Sequence, residues 1–491
     1  MTPDSVGWVT ARRFWYSLGA ITAIGWLVRV AYIWHWRREP IAIAMTFPND
    51  SSYYHFASKL LADGEGFLNP FFTAPGRPYQ SADHPPVYQV FLACFSLVGL
   101  DSPNQQMLLT ATFLGTPTVW VTGLAGRAIR GDRVGLIAAG LVTIAPNVFS
   151  WDGMLLSESA AILFVTCTIW AAYWYRGQPS RSRAAVLAGA AALAAMSRAE
   201  LILLGLLIVL PLLIRTGERE RRATIGRVGV GAAVASIIIG PWVLSNMVRF
   251  EDRVYLSVGA EITMASASGD DTYYGEGTGY WSVFAACDVR AAIRTEHPPE
   301  FIVEAGVLRP ATREDRERSF ACPSADRLEV PVLDQSEEAP YFRRAATTYI
   351  RDHLDRLPVV VAARWGRTLY LWNPDHVVRA DWGLEGRSRG IAILGWWTFY
   401  PLALLALTGA VSLRRARIPV YPVAAVFLTV AAAVTLAFGT PRYRASAETA
   451  LCVLAAVGVD AVFTRWRGRS ASTPQDDDLG TSPDMGAPPV A

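Results

Sequence analysis

Residues 85–133 read PPVYQVFLACFSLVGLDSPNQQMLLTATFLGTPTVWVTGLAGRAIRGDR, and the fold turns on how many times they cross a membrane. Two apolar runs lie here, 87–100 and 105–126, and Arg127, Arg130 and Arg133 close the stretch. A spanning helix needs about 20 apolar residues, and Lys and Arg collect in cytoplasmic loops. If 37–85 is an outer loop and the three arginines are inside, parity allows one crossing. The shorter run, 87–100, is therefore expected to be a re-entrant or interfacial helix.

Working outward from this point, the same two rules trace the rest of the chain. Residues 14–36 leave the cytoplasm after Arg12 and Arg13, although Arg37 and Arg38 at the far end oppose that orientation. Residues 134–150 go out, 159–175 come in, and 184–214 form two short helices that meet outside at Ser197-Arg198-Ala199-Glu200. Residues 225–246 go out, and after a long polar segment 391–413, 420–438 and 449–463 cross in turn. Every inner loop is then basic. The expectation is an all-α polytopic membrane protein of about ten crossings with a mixed, helix-containing extracytoplasmic loop domain. Its parts are a cytoplasmic N-terminus at 1–13, a membrane domain at 14–247 with the first outer loop at 37–85, a loop domain at 248–390, C-terminal membrane helices at 391–464, and a disordered tail at 465–491.

Composition agrees. Hydrophobic residues make up 52% of the 491, mean hydropathy is +0.25, and 17 Trp suit membrane–water interfaces. The net charge of +3 is dispersed, with no basic stripe for nucleic acid. No Cys/His spacing suggests zinc. Cys287 and Cys322 share the loop domain, where an oxidising compartment would allow a disulfide.

The topology brings scattered polar residues to one membrane face: Asn49-Asp50, Asp83-His84, Asp152 to Glu158, Arg198 with Glu200, and Arg442 with Arg444. Each has a structural alternative. Asp50 precedes a helical pattern over Tyr53, Phe56 and Leu60, so it can be an N-cap. Asp83-His84 can simply open a helix before Pro85-Pro86, Glu158 can cap, Arg198 and Glu200 can pair across a bend, and Arg442 and Arg444 can bind lipid phosphate at the surface. Together, acids and arginines at membrane depth suit a charged lipid substrate, with a carboxylate as general base and arginines on a phosphate.

These residues also resemble a family. Asp50 with Tyr53-Tyr54 and Gly64-Glu65-Gly66, His84-Pro85-Pro86-Val87-Tyr88, Leu156-Ser157-Glu158, Ser197-Arg198-Ala199-Glu200, Pro241-Trp242 with Asn246, and Arg442-Tyr443-Arg444 follow one another as in GT-C-type membrane glycosyltransferases. The likeness is to the bacterial branch related to protein O-mannosyltransferases and the lipid A aminoarabinose transferase, and it covers nearly all of 14–463. The resemblance implies transfer of a sugar from a polyprenyl-phosphate carrier to an extracytoplasmic hydroxyl of a glycan, lipid or protein. It implies Asp50 as catalytic base, and Tyr53, Tyr54, Asp83, His84, Glu158, Arg198, Glu200, Arg442 and Arg444 as substrate-binding residues. No cofactor is evident, and a divalent metal is not indicated, although some relatives use one. Ser245, Ala199 and Ser446 depart from the family's frequent Arg, Pro and Pro, and the first weakens a phosphate role near Asn246. Mannose, arabinofuranose and glucose donors all fit these motifs. The implied setting is the bacterial plasma membrane with the site on its outer face.

In the loop domain, 340–357 and 359–372 carry helical patterns. Tyr273, Tyr274, Tyr280 and Trp281 could stack on an acceptor sugar, with ordinary packing as the alternative. Two rival functions stand beside transfer. A transporter or flippase would show internal repeats, which are not visible. A membrane scaffold would leave the clustered acids and arginines without a purpose.

Overall fold

The computed structural model describes residues 3–45, 48–73, 76–214, 221–304, 307–317, 327–329, 331–383 and 385–470. Among the described residues, five helices are long and apolar enough to cross a membrane: Arg12–Ala42, Pro103–Arg130, Arg221–Arg249, Arg389–Arg415 and Pro441–Trp466. The pair Asp132–Ile144 and Pro146–Gly153, bent by 64° where Pro146 interrupts the helix, makes a sixth if it is one broken span rather than a re-entrant loop. This is fewer than ten. Arg181–Ala195 and Tyr421–Leu436 have 15 and 16 residues, short of a full span. Glu158–Gly177 has 20 residues, 14 of them buried inside the bundle.

Val87–Ser96 has 10 residues. At 1.5 Å per residue it reaches about 15 Å, half of the hydrocarbon core. The break expected within 184–214 falls between Arg181–Ala195 and the turn Ala199–Ile202. Arg37, the residue that opposed the orientation, is fully buried. Its guanidinium donates to the carbonyl oxygens of Gly153, at 2.5 Å, and Gly386. It serves as an internal brace, so its charge does not mark an inner loop. Arg38 lies over the ring of Trp34 at 4.2 Å.

Pro441–Trp466 is the inner helix. Of its most apolar window 72% is buried, against 11% for Arg221–Arg249. It packs on Arg389–Arg415 through two glycines. A Cβ on Gly409 would stand 1.9 Å from the Leu454 carbonyl oxygen, and one on Gly458 2.0 Å from that of Leu405. Small residues let membrane helices approach this closely. The central helix thus has little freedom to shift, and it carries Arg442 at its start.

The loop domain is mainly helical, with an antiparallel sheet in which Phe301–Glu304 lies between Val307–Pro310 and Arg327–Glu329. The two expected helices are Gln335–Asp352, capped by Asp334, and Leu357–Thr368, with Pro358 in its first turn. Cys287 is disulfide-bonded, while Cys322 lies outside the described residues. The domain docks on residues 82–83: Gln335 Oε1 accepts from the Ala82 amide at 2.8 Å, and Ser257 Oγ donates to the Asp83 carbonyl at 2.7 Å. Those bonds fix the backbone next to His84.

Candidate active site

The helix Asp50–Ala62 begins with a capping box, but Asn49 makes it. The Asn49 side chain accepts from the Ser52 amide, and Ser52 Oγ returns the bond to the Asn49 amide at 3.0 Å. Asp50, one residue later, is released from capping. Its carboxylate turns to Arg442, with Oδ2 2.6 Å from Nη2, and to His84, with Oδ1 3.6 Å from Nε2. Burial opposes the charge on Asp50, but Arg442 and then His84 outweigh it and hold the carboxyl well below the usual range.

Arg442 engages three acids, one per nitrogen. Nη2 meets Asp50, Nε meets Glu158 Oε1 at 2.5 Å, and Nη1 meets the two oxygens of Glu385 at 3.3 and 3.2 Å. Glu158 is 1% exposed and is also held by Arg198. Arg198 in turn bonds Glu200 at 2.6 Å and lies 5.1 Å over the Tyr443 ring. The suspected Arg198–Glu200 pair therefore exists, and Arg198 also reaches into the site. Breaking such ion pairs by removing one partner is costly, which holds the five chain segments in register.

His84 is placed by aromatic contacts, stacked on Tyr54 at 5.1 Å and edge-on to Tyr53 at 5.3 Å. Asp83 accepts from Asn69 Nδ2 at 2.9 Å, and Tyr53 OH meets Ser81 Oγ at 2.7 Å. A cavity of about 810 Å³ opens over this cluster, lined by Asp50, Tyr53, Asp83, His84, Arg198, Glu200, Arg442 and Tyr443, with an apolar wall from Leu436, Phe438, Leu256 and Met264. That volume suits a sugar-sized or larger ligand.

Some expected residues sit elsewhere. Arg444 points into the core: it bonds Glu448 at 2.7 Å, reaches the Thr368 carbonyl, and covers the Phe399 ring at 3.9 Å. Tyr54 is buried beneath His84 rather than lining the cavity. Asp152 pairs with Arg29 at 2.7 Å inside the bundle. Tyr273 and Tyr280 are buried, which favours packing over sugar stacking, and Tyr274 stays exposed. Among the described residues, no three His, Cys, Asp or Glu side chains are grouped to hold a metal ion.

Two residues were not singled out from the sequence. Glu385 stands between Gly383 and Gly386 just before the helix Arg389–Arg415. An acid at the mouth of a membrane helix on the active face was the available signal. Arg249 donates to Phe67 O, Gln80 Oε1 and Ser81 O at 3.0 to 3.3 Å, and to Asn246 Oδ1 at 2.5 Å. It supplies a cation beside Asn246, where position 245 is Ser.

This bundle, with its helical loop domain over a cavity of acids and arginines, has a GT-C-like fold by its likeness to solved structures. The family model described as dolichyl-phosphate-mannose-protein mannosyltransferase matches residues 83–244. The match takes in Asp83, His84, Glu158, Arg198 and Glu200, and ends before Glu385 and Arg442. The archaeal oligosaccharyltransferase AglB from Archaeoglobus fulgidus, in complex with an inhibitory peptide and a dolichol-phosphate, aligns with a TM-score of 0.50 at 13% identity, over 96% of this chain and 53% of its own. The same enzyme tethered to an acceptor peptide gives 0.50 and 13% over 95% and 51%. ArnT from Cupriavidus metallidurans, bound to undecaprenyl phosphate, gives 0.40 and 15% over 96% and 81%. The present chain spans about half the length of the archaeal enzyme. No curated protein matches the sequence.

Proposed function

We propose that this chain is a glycosyltransferase that moves a sugar from a polyprenyl-phosphate carrier to a hydroxyl of an extracytoplasmic glycan, lipid or protein. The observation that carries the reading is Asp50, released from capping, on the same cavity wall as Arg442 and Arg198. The matched mannosyltransferase model and the dolichol-phosphate held by the archaeal enzyme of the same fold support a lipid-phosphate donor.

In this reading, the acceptor oxygen bonds to the anomeric carbon as the bond from that carbon to the phosphate oxygen breaks, which inverts the centre. Asp50 takes the hydroxyl proton. The phosphate leaves with the electron pair, and Arg442 and Arg198 stabilise its charge. A carboxylate held by Arg442 is a weak base. A phosphate that shares Arg442 weakens that hold and raises the basicity of Asp50, so donor binding prepares the base. His84 keeps the carboxylate oriented, Asp83, Glu200 and Tyr53 shape the sugar and phosphate subsites, and Glu158, outside the cavity lining, holds Arg442 and Arg198 in place. We place the site on the outer face of a bacterial plasma membrane. Incubating the purified chain with a polyprenyl-phosphate sugar tests the reading. Release of the lipid phosphate with transfer or hydrolysis supports it, and an intact donor contradicts it.

A further inference from the structure

We infer that Glu385 is a placeholder for the donor's phosphate: it occupies the Arg442 nitrogen that the phosphate takes over, and its carboxylate is displaced as the phosphate binds. This rests on the reading of the cavity as a lipid-phosphate site.

All three nitrogens of Arg442 are engaged, each by a different carboxylate. A guanidinium has five N–H donors, and four contacts to carboxylate oxygens are made here, so a phosphate held through two adjacent donors must displace one of them. Glu158 is a poor candidate to leave, because it is 1% exposed and also bonds Arg198. Its departure would take a shared, buried carboxylate from two part-buried arginines at once. Asp50 has His84 as a second partner and is the group that the chemistry needs beside the anomeric carbon.

Glu385 has the longest contacts of the three, at 3.2 and 3.3 Å. Among the described residues, Arg442 is the side chain that it bonds. It lies in neither neighbouring helix but in the short connection between Pro374–Gly383 and Arg389–Arg415. Gly386 follows at φ +69°, a conformation that a side chain would strain.

The electrostatics agree. Arg442 is the cation facing Glu385, and Asp50, Glu158 and Asp381 are the acids. Burial first, then the three acids against Arg442, push the Glu385 carboxyl up to about 7. It is thus the most weakly ionised acid on Arg442, and a phosphate brings the stronger anion to the same nitrogen. An incoming neutral headgroup gains nothing from the exchange, so the device discriminates for phosphate.

The test is the Kd of farnesyl phosphate for the purified full chain in detergent, with farnesol as the control. Removing the competitor should tighten binding, so Glu385→Gln is expected to lower the Kd by about tenfold. Glu385→Asp, with its carboxylate drawn back by one methylene, should lower it less and keeps the test open if the amide variant does not fold. If wild type binds farnesyl phosphate and both variants bind it equally or more weakly, the placeholder is overturned while the functional reading stands. If wild type binds farnesol as well as farnesyl phosphate, the functional reading itself falls.

Discussion

Asp50 Oδ2 and Arg442 Nη2 lie 2.6 Å apart, although 392 positions separate the two residues in the chain. The contact joins the start of the helix Asp50–Ala62 to the start of the inner helix, and the same guanidinium gathers Glu158 and Glu385. A lysine gathers its donors on one nitrogen and cannot span three carboxylates as the planar guanidinium fork does. Arg442→Lys should therefore reduce transfer by at least about a hundredfold, in line with the loss of a preorganised donor at a developing charge. Arg442→Ala should also lower stability by about 3 kcal/mol through the acids it leaves unpaired. Transfer rates and inactivation midpoints in detergent check both.

Arg444 should behave differently, because it braces Glu448, the Thr368 carbonyl and Phe399 rather than the cavity. Arg444→Ala should cost about 3–5 kcal/mol by stranding Glu448. The molecules that remain folded should bind farnesyl phosphate like wild type, whereas Arg198→Ala weakens it. A folded Arg444→Ala that loses binding would place Arg444 in the site after all.

Glu385 sets a pH dependence with a definite sign. Its carboxyl is raised to about 7 from an ordinary 4.5, so between those values the unfolded chain holds fewer protons than the folded one. Stability then falls as pH rises from about 4.5 to 7 and is level above. Glu385→Gln should remove that penalty, raising stability by about 3 kcal/mol at pH 8 and leaving it nearly unchanged at pH 4. Thermal midpoints of the two proteins at both pH values decide it. A midpoint difference that is the same at pH 4 and pH 8 would contradict the assignment.

The glycine contact between Arg389–Arg415 and the inner helix predicts a distant effect. An added methyl at Gly458 would meet the Leu405 carbonyl oxygen at 2.0 Å. Overpacking of this kind typically destabilises by about 1–3 kcal/mol. Gly458→Ala should therefore lower the midpoint and, by displacing the helix that begins at Arg442, reduce transfer in the folded fraction. An unchanged midpoint would mean that the helices part at little cost.

Much of this site was legible in the sequence because membrane topology sorts charges by side. Asp50, His84, Glu158, Arg198 and Arg442 each flank an apolar run at the same end, and the structure brings those five together. The division of labour between Asn49 and Asp50 was not legible, since both residue types cap helices well and the register of the cap decides. The fate of Arg444 could have been read. It stands two residues after Arg442 in the helical turn Pro441–Arg444, and positions two apart on a helix do not share a face. Glu385 was hidden because it lies in a long polar segment without periodicity, and only the docking of that segment brings it to Arg442. The crossing count was over-read, because apolar runs such as 184–214 and 420–438 look like spans in the sequence but form helices of 15 and 16 residues, and five or six helices among the described residues are long and apolar enough to cross.

The most direct measurement is transfer by Asp50→Asn from a polyprenyl-phosphate sugar, compared with wild type in the same membranes. Asparagine keeps the shape at the first position of the helix, and Asn49 retains the cap, so the variant should fold and insert normally. The account predicts that release of the lipid phosphate falls by at least about a thousandfold, as expected when a site loses its general base. Near-normal turnover in a correctly inserted Asp50→Asn would contradict it.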